Sequence, residues 1–587
     1  MAAPVDVSAK AAFAVPPGVL WSFLADTDRL NRAVSLPPVR FVPLPDPTRK
    51  GHYRAEARFM GVTLAYEEYP FDWVEGRHYR VLRRFDSGPL AEVLGGIRIE
   101  PAPGGSELEV FARMLPRNWL GTIGAKTVLA GKATKDVMEL ARAFEAHAQG
   151  APRPGLPPAE LVNPDVLDRR LRAVRVPGPL EKLRRHLLEA SDLEVIRMRP
   201  FELADRWGED RVATLRFLLH AAQAGALDLS WNLLCPSCRV AARETPSLSR
   251  MKNRAHCETC RIEFGADLAA SVEVRFAVQP AVRRARADVY CIGGPANTPH
   301  VAAQLRLEPG ERRSEPFERP PGPLRVRCYQ APGILGLEGT RIRVEPGGLR
   351  MEPGPAGALE VENALPAEAL LVVERETWKE SAATAALVTS LQEFRDLFPA
   401  EAVAPGDEIG ISSLAVLFTD LKGSTELYGR MGDARAFAFV QNHFRYLVER
   451  VAAHRGGVVK TMGDAVMATF ASGRDALEAA IEMQRGWQAF RGGREEGRGV
   501  ELKVGVHQGP AIAINNEGRL DFFGTTVNTA ARIQGQSEGG DVVISRALGA
   551  DPQVRDLLRA RALGGEELTV PLRGLEGDHT LTRLRPR

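Results

Sequence analysis

The chain has 587 residues, of which 44% are hydrophobic and 26% are charged. Its 77 basic and 74 acidic side chains leave a net charge of +3, which gives no reason to expect a general nucleic-acid or membrane binder. No apolar run approaches the ~18 residues needed to span a bilayer, and residues 1–10 lack the pattern of a signal peptide. We therefore predict a cytoplasmic protein, with several domains of roughly 100–200 residues each.

Residues 1–148 are predicted to form a first α+β unit. A strand over residues 5–13 and a short apolar helix precede several strand-like segments, and a long helical pattern runs over residues 120–147. This order resembles the START-like helix-grip fold (the polyketide cyclase/dehydrase superfamily), which wraps a sheet around a long helix. The resemblance implies a cavity for a small apolar ligand, and a plain α+β domain with a filled core is equally compatible with the pattern.

Residues 149–164 are rich in proline and glycine and are predicted to be a linker. Residues 165–230 follow as a helical, winged-helix-like unit, with helices expected over residues 201–207 and 210–224. Positive charge is not concentrated on the second of these helices. The pattern therefore favours helix packing over DNA binding, and we do not expect nucleic acid as a partner.

Two Cys-x-x-Cys pairs lie in residues 231–271, and they are formed by Cys235, Cys238, Cys257 and Cys260. Each such turn lets two thiolates bind one metal ion, and two turns brought together form a closed tetrahedral site. The spacing is typical of a zinc ribbon. We predict one structural Zn²⁺ rather than a redox dithiol pair, because a single metal ion accounts for both motifs.

Residues 272–375 are predicted to form a β-rich, sandwich-like domain. Short strand patterns alternate there with Pro-Gly and Gly-Gly turns. Cys291 and Cys328 lie within this region, and we expect both to be buried single thiols.

Residues 376–410 are predicted to be a connector helix and linker, with one helix over residues 376–398. Their position directly before the C-terminal domain suits the transmission of movement. A passive connection is equally compatible with the sequence.

The C-terminal region, residues 411–587, has a different pattern. A buried strand is followed by helices, a hairpin, a further helix, a strand and a last helix, over residues 414–418, 433–454, 458–470, 474–490, 501–507 and 524–536. This β-α-α-β-β-α-β order predicts a ferredoxin-like palm.

Four motifs in this region carry a close family resemblance. They read FTDLKGST, VVKTMGDAVMATF, VGVHQGP and LDFFGTTVNTAARI, and they lie within residues 413–547. The segment is identified by them as a member of the class III adenylate/guanylate cyclase family. The resemblance implies a lyase reaction in which the ribose 3′-hydroxyl of a nucleoside triphosphate attacks the α-phosphorus and expels pyrophosphate.

Asp420 and Asp464 are the predicted metal ligands. Asp420 follows a strand and Asp464 lies at a hairpin tip, so neighbouring strands could bring the two carboxylates together. Either aspartate alone would suit an ordinary turn, but the resemblance implies that both bind two Mg²⁺ or Mn²⁺ ions, together with the carbonyl group of Leu421. Hard oxygen ligands suit these ions.

Base choice is predicted from Lys460 and Asp521. The resemblance implies that this pair selects adenine, because lysine can donate to adenine N1 and aspartate can accept from the exocyclic amine. Asn528 and Arg532 are four residues apart and share a helical face. The resemblance implies that Asn528 orients the ribose and that Arg532 stabilises the charge developing on the phosphate.

Phosphate contacts are predicted at two places. The turn formed by Gly423, Ser424 and Thr425 opens a helix, where free N–H groups suit a triphosphate. Arg573 lies where the family often has a phosphate-binding lysine, so its role is less directly implied.

The resemblance also implies a head-to-tail homodimer, in which the metal ligands come from one protomer and the base-binding residues from its partner. The sequence therefore predicts a multi-domain adenylate cyclase that makes cyclic AMP from ATP and is regulated by its first 400 residues. Three alternatives remain open at this point: a domain that only binds nucleotide, a nucleic-acid-binding regulator with a cyclase-like sensor, and a guanylate cyclase.

Overall fold

A computed structural model describes residues 3–46, 49–59, 62–125, 130–150, 162–237, 239–258, 262–285, 288–376, 382–492 and 499–586. The chain is a mixed α+β protein in which several units are joined by shared sheets and a shared core. Within the described ranges, no helix is long and apolar enough to cross a membrane.

The N-terminal part combines a curved antiparallel sheet with a long helix. Its elements are β1 (Val5–Phe13), α1 (Pro17–Leu24), α2 (Thr27–Ala33), β2 (Val39–Pro43), β3 (Tyr53–Phe59), β4 (Val62–Glu68), β5 (Asp72–Val74), β6 (His78–Phe85), β7 (Leu90–Ala102), β8 (Gly105–Pro116), α3 (Trp119–Gly124) and α4 (Ala130–Ala148). The strands follow the order β1-β8-β7-β6-β5, with β4, β3 and β2 attached through β6. Helix α4 packs against β1, β8 and α1.

Aromatic side chains fill the core between this sheet and its helices. The ring of Trp21 lies 6.2 Å from that of Trp73 and 6.3 Å from that of Tyr79, and all three residues are buried. Val137 and Ala141 of α4 complete the same cluster. The apolar ligand suggested for residues 1–148 remains a prediction.

Residues 164–278 form a helical layer and two small sheets, one of three strands and one of two. The helices are α5 (Pro164–Leu171), α6 (Leu180–Glu189), α7 (Asp192–Ile196), α8 (Pro200–Trp207) and α9 (Arg211–Gln223), and the strands are β9 (Leu227–Leu234), β10 (Ala241–Thr245), β11 (Arg254–Cys257), β12 (Ile262–Gly265) and β13 (Val272–Val278). Helices α8 and α9 agree with the two helices expected here, and Gly208 ends the first of them in a left-handed conformation at φ 66°. Strand β13 pairs with β9.

The strand-rich region after β13 has two sheets. Its strands are β14 (Val301–Leu307), β15 (Arg312–Pro316), β16 (Leu324–Cys328), β17 (Ile334–Gly336), β18 (Arg341–Glu345), β19 (Gly348–Glu352), β20 (Ala358–Asn363) and β21 (Ala369–Arg375). One sheet has the order β15-β20-β18-β19, and the other joins the N-terminal sheet because β14 pairs with β5. The N-terminal part and the strand-rich region therefore share a 12-stranded sheet.

The connector differs from the single helix predicted over residues 376–398. Residues 377–381 lie outside the described part of the chain, and two short helices follow, α10 (Ala385–Ser390) and α11 (Gln392–Leu397). Leu391 between them is extended, with ψ 132°. The hydroxyl groups of Thr389 and Ser390 each donate at 2.7 Å to the carbonyl four residues earlier, which favours a bend at the end of α10.

The C-terminal domain is built on an eight-stranded sheet. Its elements are β22 (Glu408–Lys422), α12 (Ser424–Met431), α13 (Asp433–Ala453), β23 (Gly456–Met462), β24 (Ala465–Phe470), α14 (Gly473–Gly492), β25 (Glu501–Asn516), β26 (Arg519–Phe523), α15 (Thr525–Gly535), β27 (Asp541–Ser545), α16 (Arg546–Gly549), α17 (Pro552–Ala560), β28 (Gly565–Pro571) and β29 (Asp578–Leu584). The strand order is β23-β24-β22-β25-β27-β29-β28, with β26 paired to β25.

The two faces of this sheet have different neighbours. One face packs on α13, α14 and α17 around a core that includes Leu447 and Trp487. The other face shares one continuous core with the connector and with residues 164–278, in which Phe418 and Met467 belong to the same cluster as Phe394 and Trp231. The preceding part of the chain therefore covers one side of the C-terminal sheet.

Candidate functional site

Asp420 and Asp464 are brought together at one end of the C-terminal sheet. Asp420 lies near the end of β22, and Asp464 forms a two-residue turn with Gly463 between the paired strands β23 and β24. Gly463 has φ 64°, a conformation that glycine adopts readily. Burial raises the pKa of the Asp420 carboxyl, and the nearby charge of Asp464 raises it further.

This acidic pair fits a divalent cation. The charge of Lys503 and the N–H group of Leu421 act to lower the pKa of Asp420. The net shift is still upward, because burial and the repulsion between the two carboxylates outweigh them. Oδ2 of Asp464 is buried and has no hydrogen-bond partner among the described residues. Oxygen ligands with unbalanced negative charge are the environment that Mg²⁺ and Mn²⁺ prefer.

The turn after β22 leads directly into α12. Gly423 has φ 87°, and a Cβ atom there would lie 2.9 Å from the carbonyl oxygen of Gly499, so only glycine fits. Ser424 then begins α12, whose first N–H groups have no partner within the helix. The backbone geometry of residues 423–425 is therefore compatible with the predicted phosphate contact.

Lys460 and Asp521 form an ion pair. Nζ of Lys460 lies 2.6 Å from Oδ2 of Asp521, and Nδ2 of Asn516 donates to the same oxygen at 3.1 Å. The side chain of Asp521 is 7% exposed and that of Lys460 is 37% exposed. The sequence separates these residues by a helix and two strands, yet the fold joins their side chains directly.

Asn528 and Arg532 share an exposed face of α15, as their spacing predicts. Arg573 is also exposed, in the turn after β28. The side chains of all three form no hydrogen bond or ion pair with other residues in the described ranges. They are thus accessible to a ligand or to a second protomer.

Sequence reasoning missed several residues that support this site. Asn516 holds the carboxylate of Asp521, and Gln392 and Arg395 of α11 bond to the strands that carry Lys460 and Asp521. Only the closeness of Asn516 to the LDFF motif is visible in the sequence. The contacts of α11 cross more than 60 residues and depend on the fold.

Each of the two Cys-x-x-Cys turns predicted to bind zinc lies between a pair of hydrogen-bonded strands. Cys235 follows β9 and precedes its partner β10, while Cys257 ends β11 and precedes its partner β12. Both thiols are buried in one small cluster, and the Ser237 N–H group donates to the Cys235 sulfur at 3.4 Å. The other two predicted ligands, Cys238 and Cys260, lie outside the described residues.

Comparison with known families assigns two segments of the chain. Residues 409–551 match the adenylate and guanylate cyclase catalytic domain. Residues 165–290 match a family of unknown function, DUF5939. The C-terminal region is therefore an adenylate/guanylate cyclase catalytic domain, and the family description includes enzymes for either base.

Individual relatives match only part of the chain. The adenylate cyclase of Mycosarcoma maydis is 31% identical over 156 residues, which cover 23% of this chain and 6% of that protein. Putative adenylate cyclase 3 of Rhizobium meliloti (strain 1021) is 32% identical over 131 residues, 22% of each chain. Among solved structures, the adenylyl cyclase CyaB from P. aeruginosa is 19% identical, with 30% of this chain and 95% of that chain covered at a TM-score of 0.27.

Proposed function

We propose that the protein is an adenylate cyclase that converts ATP into 3′,5′-cyclic AMP and pyrophosphate. The observation that carries the proposal is the ion pair between Lys460 and Asp521, the two residues expected to select adenine. It lies in a domain that also brings Asp420 and Asp464 together. Similarity to adenylate cyclases over the same segment supports this choice of base.

Base selection follows from the chemistry of the pair. The Lys460 ammonium can donate to N1 of adenine, and the Asp521 carboxylate can accept from the exocyclic amine. Guanine presents an N–H group and a carbonyl at these positions. It would leave the buried carboxylate of Asp521 without a donor, which is costly in a site with little water.

The reaction forms a bond between the ribose 3′-oxygen and the α-phosphorus and breaks the bond to pyrophosphate. Asp420, Asp464 and the carbonyl group of Leu421 would hold two Mg²⁺ or Mn²⁺ ions, which would activate the hydroxyl group and neutralise the phosphates. The backbone N–H groups of residues 423–425 and the guanidinium of Arg573 would bind the triphosphate.

A head-to-tail homodimer would complete each site. The side chains of Asn528 and Arg532 are exposed and would contact the ribose and the α-phosphate of a nucleotide whose metal ions are held by the partner protomer. Two exposed apolar side chains at the ends of β23 and β26 would be available to such an interface, since Met462 is 45% exposed and Phe523 is 58% exposed.

The remaining regions would regulate the catalytic domain. One structural Zn²⁺ held by Cys235, Cys238, Cys257 and Cys260 would stabilise the small strands around it. A small apolar ligand in residues 1–148 is proposed as a signal, and mass spectrometry of compounds extracted from the purified chain would test it. Deletion of those residues is a poor test, because it would remove β5 from its pairing with β14.

The proposal is tested by incubating the purified chain with ATP or GTP in Mg²⁺ or Mn²⁺ and measuring both cyclic nucleotides. Cyclic AMP from ATP is the expected product. Cyclic GMP as the main product would identify a guanylate cyclase. Nucleotide binding without either cyclic product would identify a domain that only binds nucleotide.

A further inference from the structure

Helix α11 of the connector touches both strands that carry the base-selecting pair. The N–H group of Val458 in β23 donates to Oε1 of Gln392 at 2.8 Å, two residues before Lys460. Nη2 of Arg395 donates to the carbonyl oxygen of Leu520 in β26 at 2.8 Å, one residue before Asp521. One short helix thus binds the backbone on both sides of the Lys460–Asp521 ion pair.

The contact at β23 coincides with an irregularity in the strand. Val458 pairs with Ala468 and Lys460 pairs with Met467, so Val459 is an extra residue that forms a β-bulge. A bulge changes the direction of the side chain that follows it and leaves a backbone group without its partner in the sheet. Gln392 supplies a partner at this bulge, where the direction of the Lys460 side chain is determined.

The contact at β26 is made by a half-buried cation. Burial lowers the pKa of the Arg395 guanidinium to about 10, and the charge of Asp521 acts in the opposite direction. The same guanidinium lies 5.9 Å from the ring centroid of Phe522, within the range of a cation–π contact. Arg395 therefore binds the residues before and after Asp521 and contributes positive charge near its carboxylate.

Close packing fixes α11 against these strands. A Cβ atom on Gly457 would lie 2.8 Å from the carbonyl oxygen of Ser390 and 2.9 Å from Cδ of Arg395. Glycine at position 457 therefore permits the approach of the connector to β23. A movement of α11 would have to move the backbone of β23 with it.

The opposite side of α11 contacts the region that matches DUF5939. Oε1 of Glu393 lies 3.2 Å from Nε of Arg216 in α9, and the ring of Phe394 lies 5.7 Å from that of Trp231 in β9. Arg216 also donates to the carbonyl oxygen of Ala452, close to the end of α13. Residues 165–290 and the strands that carry the base-selecting pair are thus in contact with the same helix.

We propose that Gln392 and Arg395 are positioning residues for base selection, which hold β23 and β26 so that Lys460 and Asp521 face the same base. The inference rests on the proposed function, because it assigns these two residues to the adenine-binding side of that site. Neither residue touches the nucleotide in this account. They act through the backbone next to Lys460 and Asp521.

The test compares the full chain with Arg395→Met and Gln392→Met, which remove the polar contacts at similar side-chain length. Binding of 3′-deoxy-ATP and 3′-deoxy-GTP with Mn²⁺ is measured by calorimetry, because these probes lack the reacting hydroxyl group and need no turnover. We expect each variant to lower the preference for the adenine probe about tenfold, the effect of one lost hydrogen bond to a buried group. Arg395→Lys and Gln392→Glu should recover most of the preference.

Asp396→Ala is the matched control, because it removes the 2.9 Å contact to Nε2 of Gln392 and a charge near Arg395 but leaves the two hydrogen bonds to β23 and β26 in place. It should leave the ratio of the two affinities unchanged. A general loss of stability would weaken the binding of both probes equally. Thermal melting of each variant measures that loss. An unchanged ratio of the two affinities in both Met variants would overturn the inference.

Failure of the proposed function has a different signature. In that case the wild-type chain makes no cyclic AMP, but the ratio of its affinities for 3′-deoxy-ATP and 3′-deoxy-GTP still changes in the Met variants. A wild-type chain without preference for the adenine probe would overturn both proposals.

Discussion

The amine of Lys460 and the carboxylate of Asp521 lie 2.6 Å apart, although β23 and β26 are not paired with each other in the sheet. Asn516 holds the same carboxylate oxygen at 3.1 Å, and the N–H group of Phe522 donates to the other oxygen at 2.8 Å. Asp521 is therefore fixed by several contacts, while Lys460 is the more exposed partner. In the proposed base-selecting pair, the acceptor Asp521 is therefore held in place, whereas the donor Lys460 has more freedom to adjust to the base.

The double variant Lys460→Glu, Asp521→Cys should exchange ATP for GTP as the preferred substrate. Glutamate can accept from the N–H groups of guanine, and the small thiol no longer demands the adenine amine. We expect the ratio of kcat/KM for ATP over GTP to fall at least about 100-fold, as for the loss of two hydrogen bonds in a buried site. The measurement is steady-state kinetics with both nucleotides. A double variant that still prefers ATP would show that these side chains do not select the base.

Two inactive variants should restore activity to each other if the site is shared between protomers. Asp464→Asn weakens the metal site, and Arg532→Ala removes the group proposed to stabilise the transition state. When the two are coexpressed, each mixed dimer has one complete site, so about a quarter of the wild-type sites should be restored for random pairing of a two-fold dimer. The measurement is cyclic AMP production by the copurified mixture. Activity no higher than the sum of the separate variants would contradict a shared site.

One zinc ion per chain is expected, and Cys257→Ser should lose it. The thiol of Cys257 is buried in the same cluster as that of Cys235, and loss of a structural ion should also lower the melting temperature. Metal content is measured by mass spectrometry of the purified chain. Cys291→Ser is the control, because this buried thiol accepts a hydrogen bond from Thr27 and belongs to a different apolar cluster from Cys235 and Cys257. Zinc retained in Cys257→Ser would argue against the four-cysteine site.

The positions of the candidate site residues could be predicted from the sequence because each lies on a turn, strand or helix that local patterns define. Asp464 in its hairpin turn and Asn528 with Arg532 on one helical face are examples. The contacts of Gln392 and Arg395 could not be predicted, since they join side chains to backbone groups that belong to distant strands. The residues near each position in the sequence do not indicate that α11 lies against β23 and β26.

Two features of the architecture were also beyond the sequence pattern. The pairing of β5 with β14 joins strands that are far apart in the chain, and it depends on the exposed edge of each partner sheet. The break at Leu391 follows from hydroxyl groups that bond back to α10. The local pattern of apolar residues there is continuous enough to suggest one helix.

His507 should make folding stability depend on pH between about 6.5 and 4. Burial, together with the charge of His579, lowers the pKa of its ring to about 4. The folded state therefore keeps the ring neutral, while the unfolded chain takes up a proton as the pH falls below about 6.5. The stability is fully present above that pH and decreases by up to about 3 kcal/mol as the pH falls to 4.

The variant His507→Gln removes this titration and keeps a polar partner for Ser545, whose hydroxyl group lies 2.8 Å from Nδ1 of His507. Its free energy of unfolding should therefore change less between pH 6.5 and 4 than that of the wild type, as measured by denaturant titration at each pH. His147→Gln, in the last turn of helix α4, serves as the control. Parallel curves for the wild type and His507→Gln would contradict the expectation.

The measurement that tests the central claim most directly is cyclic nucleotide production by the purified chain and by Asp464→Asn, with ATP or GTP and with Mg²⁺ or Mn²⁺. We expect cyclic AMP from ATP, a much smaller yield from GTP, and a loss of at least about 100-fold in the variant, because the proposed metal site would supply several kcal/mol of transition-state stabilisation. The variant should melt within a few degrees of the wild type. Cyclic GMP as the main product, or cyclic AMP production that survives in Asp464→Asn, would contradict the account.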